Sequence, residues 1–292
     1  MSLTQFVQKV ELPSGLYVVA TPIGNLRDVT LRALDVLNSV DVIYAEDTRQ
    51  TRRLMDAYGL KTPLRTYHDH NGAQMRPVIL SDIEKGHAVA LVSDAGTPLI
   101  SDPGFKLVRE LRAHDCKVVP IPGASALTAA LSAAGLPTDV FTFAGFMPAK
   151  SAARKRKLET FKSFETTLVL YETGNRLADV VADIGEVFGD VELVMARELT
   201  KLFETFVSGT VTEFKTFLEE GGTPKGEIVL LISLENTADA NASEDDIEAF
   251  LRANIEEQGV KSAANEAAAL FNRPKRDMYA LANALKNRGP AD

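Results

Sequence analysis

Glu46, Asp47 and Arg49 follow directly on an apolar run, DVIYA (41–45), in the order Ala45-Glu46-Asp47-Thr48-Arg49. Carboxylates just beyond a buried strand can take a proton from a substrate hydroxyl, and a neighbouring arginine can orient them or bind phosphate. The same three charges could serve as solvated helix caps; their place beyond a strand favours a site. His68 and His70, in TYHDHN, are further candidates for proton transfer and equally plain as turn or sheet-edge histidines. The run KSAARKRK places Lys150, Arg154, Lys155, Arg156 and Lys157 within one or two helical turns. Together with Lys162 and against Glu159 alone, residues 148–162 carry +5. Such local density suits contact with phosphates, the alternative being a solvated helix start.

Three further stretches combine glycine, proline and hydroxyl side chains. Thr21-Pro22-Ile23-Gly24-Asn25 puts a glycine directly after a strand, where backbone amides can approach a ligand. It is neither a G-x-G-x-x-G fingerprint nor a phosphate-binding loop, and taken alone it reads as a strand-to-helix turn. Residues 92–104, VSDAGTPLISDPG, carry far more turn chemistry than a connection of about 2–6 residues needs. Residues 120–126, PIPGASA, end a strand in Pro-x-Pro-Gly and open a helix whose small residues leave room for a flat group such as adenine.

These loops must be held by strands and helices. Residues 15–20, 41–45, 87–93 and 116–121 are short apolar runs alternating with helical patterns, as in a parallel α/β unit. Helices are expected over 28–40, with Asp28 as N-cap, from the turn after Ala45 through Tyr58, from about Pro103 through Ala113, and over 125–134 packed against the sheet. In a parallel sheet, the loops after strand C-termini are where ligands bind. A second unit has strand-like runs at 141–146, 166–172, 191–198 and 226–234, with helices near 152–164 and 176–188. The polar stretch 236–243 reads as a linker with nothing to bury. Helical patterns near 245–257, 262–271 and 275–286, punctuated by Gly259 and Pro274, suggest a helix-turn-helix appendage. The expected domains are therefore 1–136, 137–235 and, with the acidic linker, 236–292.

The 292 residues, 45% hydrophobic and 25% charged, suit more than one globular unit. No apolar run approaches the roughly 20 residues of a membrane span. The first residues lack the basic and apolar segments of a secretory signal, and Cys116 is the only cysteine, so the expectation is a cytoplasmic protein without disulfides or a metal centre. The net charge of −8 is uneven, because residues 235–258 alone carry −7. An acidic total therefore does not exclude a nucleic-acid partner.

Several motifs, in order, resemble one family: GLYVVATPIGNL, YAEDTRQTRRLM, LVSDAGTPLISDPG, VVPIPGASA, FAGFMP, VMARELTK and KGEIVLLI. From about Leu16 to Leu234 the chain is similar to the tetrapyrrole-methylase-like family, and most similar to its branch that methylates ribosomal RNA, whose added helical domain the C-terminal helices resemble. The resemblance implies two α/β domains with S-adenosylmethionine folded into a cleft between them. It places cofactor contacts at Pro22, Gly24, Asp94, Gly96, Thr97, Ser101, Asp102, Ala124, Ser125, Ala196, Lys225 and Gly226. It also implies a homodimer that methylates the 2'-hydroxyl of a cytidine in the decoding region of small-subunit (16S) rRNA, without a metal. The basic run would then contact RNA, with Arg52 and Arg53 extending it and Lys275, Arg276, Lys286 and Arg288 forming a second foot or a dimer contact. Methylation of a tetrapyrrole carbon is the nearest alternative, which gives no reason for the basic run or the appended helices. A non-catalytic RNA-binding or assembly protein is another, against which the intact glycine-rich loops speak. One departure is local: Gly174 and Asn175 stand where the family pattern leads one to expect Pro-His, while Glu172 and Arg176 are retained.

Overall fold

A computed structural model describes residues 3–222, 224–234, 244–271 and 273–288. The chain forms two compact units, one of Met1–Lys162 with Thr167–Ser233 and one of Ser163–Thr166 with Leu234–Asp292.

The larger unit contains two five-stranded sheets. The first has strands β1 (Gly15–Val19), β2 (Val42–Ala45), β3 (Leu64–Thr66), β4 (Ala88–Val92) and β5 (Val118–Ile121), in the order β3-β2-β4-β1-β5. Every pairing is parallel, so both faces need covering. Successive side chains alternate between faces, and two separate cores result. Val19, Ile43, Ala90 and Val92 meet Leu34 and Leu37 of α1 (Leu31–Ser39) and Leu54 and Met55 of α2 (Thr48–Tyr58). Leu16, Tyr44, Val89 and Leu91 meet Ile79 of α3 (Gly72–Glu84) and Leu107 and Leu111 of α4 (Phe105–Ala113).

The second sheet is mixed. It holds β6 (Phe141–Phe146), β7 (Thr167–Thr173), β8 (Glu192–Arg197), β9 (Thr205–Thr210) and β10 (Glu227–Ser233), in the order β6-β7-β10-β8-β9. Only the β6–β7 pair is parallel. Helix α5 (Ala126–Ala133) packs on this second sheet, Ala130 and Leu131 lying against Val169, Val194 and Leu231. The expectation that the helix packs against the preceding sheet is thus corrected: its small side chains fit the face of the following one. Helices α6 (Ser151–Glu159), α7 (Leu177–Phe188) and α8 (Val211–Glu219) complete the unit.

Helix α1 also departs from the sequence reading. Asp28 lies inside a single 3-10 turn, Leu26–Asp28, capped by Asn25. Val29 is extended, and Thr30 is the N-cap, its hydroxyl accepting the Ala33 N–H at 3.1 Å.

The smaller unit is three helices, α9 (Glu244–Gln258), α10 (Val260–Leu270) and α11 (Lys275–Arg288), closed around Leu251, Ala263, Ala267, Phe271, Ala282 and Leu285. Lys275, Arg276 and Lys286 are exposed on α11. The linker expected at 236–243 lies outside the described residues. Among the described residues, no helix is long and apolar enough to cross a membrane.

Candidate active site

At the end of β2 the chain turns into α2 through the charged cluster. Asp47 is the N-cap: its carboxylate accepts the Arg49 N–H at 2.8 Å and also pairs with the Arg49 guanidinium at 2.6 Å. The Arg49 hydrogen bonds hold the Asp47 carboxyl down at about 2. Asp47 is thus committed to its helix, whereas the Arg49 side chain remains 88% exposed. Glu46 differs. Burial, and then the nearby Asp102 and Asp94 charges, push its carboxyl up to about 6. Adjacent carboxylates therefore sit in opposite environments, the kind of separation that assigns acid–base roles.

The loop after β4 is built by backbone geometry. Thr21 and Gly96 exchange both N–H···O bonds, at 2.9 and 3.0 Å, tying the loop after β1 to this one. Leu99 and Ser101 hold positive φ angles of 74° and 64°, an arrangement that costs free energy and clusters at functional sites. At Gly104, φ is +132°, and a Cβ would stand 2.9 Å from both Leu91 and Leu99. Thr97 donates from its hydroxyl to the Ala124 carbonyl at 3.2 Å, linking this loop to the start of α5. Burial also raises the Asp102 carboxyl.

The second sheet supplies the opposing wall. Glu172 is 2% exposed. Its Oε1 accepts the Thr173 N–H at 2.9 Å and lies 3.2 Å from Arg176 Nε. Among the described residues, its Oε2 is the buried side-chain oxygen left without a hydrogen-bond partner. The loop that follows is cramped. A Cβ on Gly174 would fall on the Pro224 carbonyl oxygen and 2.6 Å from its carbon, while the Gly174 N–H donates to Gly226 O at 3.0 Å. The replacement of the expected Pro-His pair thus coincides with a backbone contact that only glycine permits.

Between these walls lies a cleft of about 320 Å³. Of the expected cofactor residues, Asp94, Gly96, Thr97, Ser101, Asp102, Ser125 and Ala196 line it. Ala124 joins through the Thr97 bond, and Gly226 through its bond to Gly174. Pro22 and Gly24 face an adjoining groove, and Lys225 is exposed and lines neither. Ile23, Phe146, Tyr171, Leu199 and Val229 line the cleft without having been singled out from sequence. Their signal was position: each lies at or beside the end of a strand, or in a turn already recognised for other reasons. Burial raises the Tyr171 phenol. Apolar walls with a few polar groups, one of them an orphan acceptor, fit a ligand with a purine and a charged amino-acid end.

The basic run is divided by its helix. Arg154 is 2% exposed, and its guanidinium pairs with Asp183 at 2.6 Å and donates to the Pro148, Ala149 and Asp179 carbonyls. Its reading as an RNA contact is corrected: the side chain points into the α6–α7 interface, where the paired carboxylate compensates its burial. Lys155 pairs with Glu186 at 2.7 Å, and Lys157 donates to the Ala144 carbonyl at 3.1 Å. Lys150 and Arg156 are exposed. His68 and Asn71 bond each other in a local turn, the Asn71 carboxamide accepting the His68 N–H at 2.9 Å.

The family described as Tetrapyrrole (Corrin/Porphyrin) Methylases matches residues 15–215, and the RsmI C-terminal HTH domain matches residues 241–286. The Ribosomal RNA small subunit methyltransferase I of Mesorhizobium japonicum is 42% identical over 288 residues, covering 96% of this chain and 97% of that protein. The protein of the same name from Haemophilus influenzae is 43% identical over 273 residues, covering 92% and 96%. Solved structures are more distant in sequence. Diphthine synthase superposes with a TM-score of 0.59 at 15% identity, covering 75% of this chain and 89% of that one. The methyltransferase CobJ gives 0.58 at 17%, covering 79% and 97%. These two establish the fold alone.

Proposed function

Because this chain belongs to the tetrapyrrole (corrin/porphyrin) methylase family, we propose that it methylates the 2'-hydroxyl of a cytidine in the decoding region of small-subunit ribosomal RNA. It is an S-adenosylmethionine-dependent methyltransferase. The RNA acceptor is supported by relatives matched over 97% and 96% of their length, whose name specifies that substrate. The observation in the molecule that carries the cofactor assignment is the cleft with the buried, unsatisfied Glu172 Oε2 in its wall. A buried acceptor without a donor costs free energy that a bound donor recovers.

When bound, S-adenosylmethionine supplies a methyl group already activated on a sulfonium. The work left to the protein is positioning and proton removal. Ile23, Leu199 and Val229 form the apolar wall that keeps water from the ligand, and Glu172 accepts from its donors. Gly96 and Thr97 present backbone and hydroxyl groups without filling the space. Glu46 lines neither the cleft nor the groove, but it stands at the end of β2 beside Asp47, whose N–H bonds the Asp94 carboxylate shared by both spaces. With its carboxyl near 6, it is the carboxylate we assign to take the proton as the 2'-oxygen gains the methyl. Asp47 and Arg49 act as a pair that holds the start of α2 and presents a cation to the acceptor strand.

Lys150, Arg156 and, with their partners displaced, Lys155 and Lys157 are assigned to RNA phosphates. Residues 1–136 and 137–235 are taken as the two α/β domains, and the partner in solution as a second copy of this chain. A cytoplasmic location follows from the substrate.

The test is transfer of labelled methyl from S-adenosylmethionine to isolated small ribosomal subunits lacking the modification, with naked rRNA and a tetrapyrrole precursor in parallel. Label in RNA at a ribose that resists alkaline cleavage is the expected result. Label entering only the tetrapyrrole would refute the RNA assignment.

A further inference from the structure

The cleft does not stand alone. A second depression of about 480 Å³ adjoins it and shares Ile23, Asp94, Ala95 and Glu227 as a common wall. Its own lining includes Pro22, Gly24, Leu26, Gln50, Arg53 and Lys201. The two spaces differ in chemistry. The cleft is lined largely by apolar groups such as Ile23, Leu199, Ile228 and Val229, whereas the lining of the groove includes a guanidinium, an ammonium and a carboxamide beside the Asp94 and Glu227 carboxylates.

We infer that this groove is the acceptor-nucleotide subsite, with Arg53 against the phosphate and the ribose turned toward the wall formed by Asp94 and Ala95. The inference rests on the RNA reading above and deepens it. In-line methyl transfer requires the attacking oxygen to reach the donor from the side opposite its leaving group. A second space bordered by Ile23, Asp94, Ala95 and Glu227 of the donor cleft places an acceptor beside the donor, and its volume falls within the ~300–1,000 Å³ usual for small-ligand sites.

The cations of the groove are not equivalent. Lys201 is held by Glu198 at 2.8 Å and Glu227 at 2.9 Å. Arg53 hydrogen-bonds the Gln50 carboxamide at 3.0 Å and, among the described residues, forms no ion pair with a carboxylate within 4 Å, its charge acting on Asp47 only from a distance. An amide neighbour orients a guanidinium without neutralising it, which leaves the charge for an anion. The exposed Leu26 offers an apolar surface for a base at the same groove, fixed by the Tyr58 hydroxyl donating to its carbonyl at 2.8 Å.

The floor is pre-formed. A Cβ on Gly24 would stand 2.6 Å from Lys201 Cγ and 2.7 Å from Thr200 Oγ1, and the Asn25 N–H donates to that hydroxyl at 3.0 Å. Thr200 itself holds a positive φ of 66°. Pro22 and Gly24 accordingly serve the acceptor side, not the cofactor side to which the family resemblance assigned them.

The test uses the full chain, isolated small subunits and S-adenosylmethionine, with the variants R53A, R53K and Q50A. For R53A the subunit KM should rise about tenfold and the slope of log affinity against log salt should shrink by about one, as for a lost phosphate contact. Cofactor affinity by calorimetry should be unchanged. R53K, which keeps the charge but loses the planar fork, should fall between, and Q50A should raise the subunit KM with less effect on the salt slope. An active wild type whose R53A variant keeps its subunit KM and salt slope overturns the groove assignment. So does an R53A variant that loses cofactor affinity in step. A wild type that binds S-adenosylmethionine but leaves subunits unmethylated overturns the RNA reading instead.

Discussion

The carboxylate of Asp94 accepts the backbone N–H of Asp47 at 2.9 Å, tying the loop after β4 to the start of α2. This bond sets the cleft-lining loop in register with the charged cluster. Since Asp94 also neighbours Glu46 and Asp102, three carboxylates meet where two strands end.

Substitution E46Q should remove a limb of the pH profile. With the Glu46 carboxyl at about 6, kcat/KM is expected to rise through pH 6 in the wild type, and E46Q should be slow and flat over that range. The stability effect has a definite sign. The folded pKa lies above the ordinary 4.5, so the folded state binds more protons and loses stability as pH rises from about 4.5 through 6. Thermal melts should therefore show E46Q gaining most, relative to wild type, above pH 6.

D47N tests the opposite environment. The folded pKa of about 2 lies below the ordinary value, so the charge stabilises the fold above pH 3.8 and the benefit fades as pH falls toward 2. D47N should lower the melting temperature at pH 7 and lose this difference in acid. The pH 6 limb of the activity profile should persist; its disappearance in D47N would transfer the proton-accepting role from Glu46.

R154A separates architecture from RNA contact. Removing the guanidinium leaves the buried Asp183 uncompensated, and a loss of about 3–5 kcal/mol in denaturant unfolding is expected. R156A, at an exposed position one and a half turns from the helix start, should leave stability within about 0.5 kcal/mol and weaken binding to small subunits.

G174A should displace the Pro224–Gly226 backbone, because the new methyl has nowhere to go. Overpacking of this kind costs about 1–3 kcal/mol. The wall carrying Glu172 would shift with it, so calorimetry should show weaker S-adenosylmethionine binding together with the lower stability.

E172Q keeps the shape of the cleft wall but replaces one acceptor oxygen with a donor. Cofactor affinity should fall about tenfold or more, since a site built to accept then meets the ligand with an N–H. Unchanged affinity would mean that the orphan oxygen faces no part of the cofactor.

Much of this molecule was legible before folding was considered. Leu16, Val42, Val89 and Val118 sit in apolar runs too short for helices and bounded by turn residues, and these became the parallel strands. The loop at 92–104 declared itself by excess glycine, proline and hydroxyl residues, and it lines the cleft. The short β3, the helix α3 with its internal Pro77, and the strand β9 went unread, because their patterns are weak and only packing against stronger neighbours makes them regular. Helix α8 also went unread, although Thr210 and Glu213 form a capping box at its start.

What the sequence determines by itself is local: period, turn chemistry, and which loops follow which strands. These depend on near neighbours and on backbone sterics. What only the tertiary structure decides is which of several like residues faces which environment. Glu46 and Asp47 are adjacent carboxylates, yet one is raised toward 6 by burial and like charges and the other lowered to about 2 by Arg49. Arg154 and Arg156 belong to one basic run, yet one is sealed against Asp183 and the other faces water. Desolvation and Coulomb interaction act through space, between groups 29 positions apart for Arg154 and Asp183 and 56 for Glu46 and Asp102, and so no local pattern encodes them.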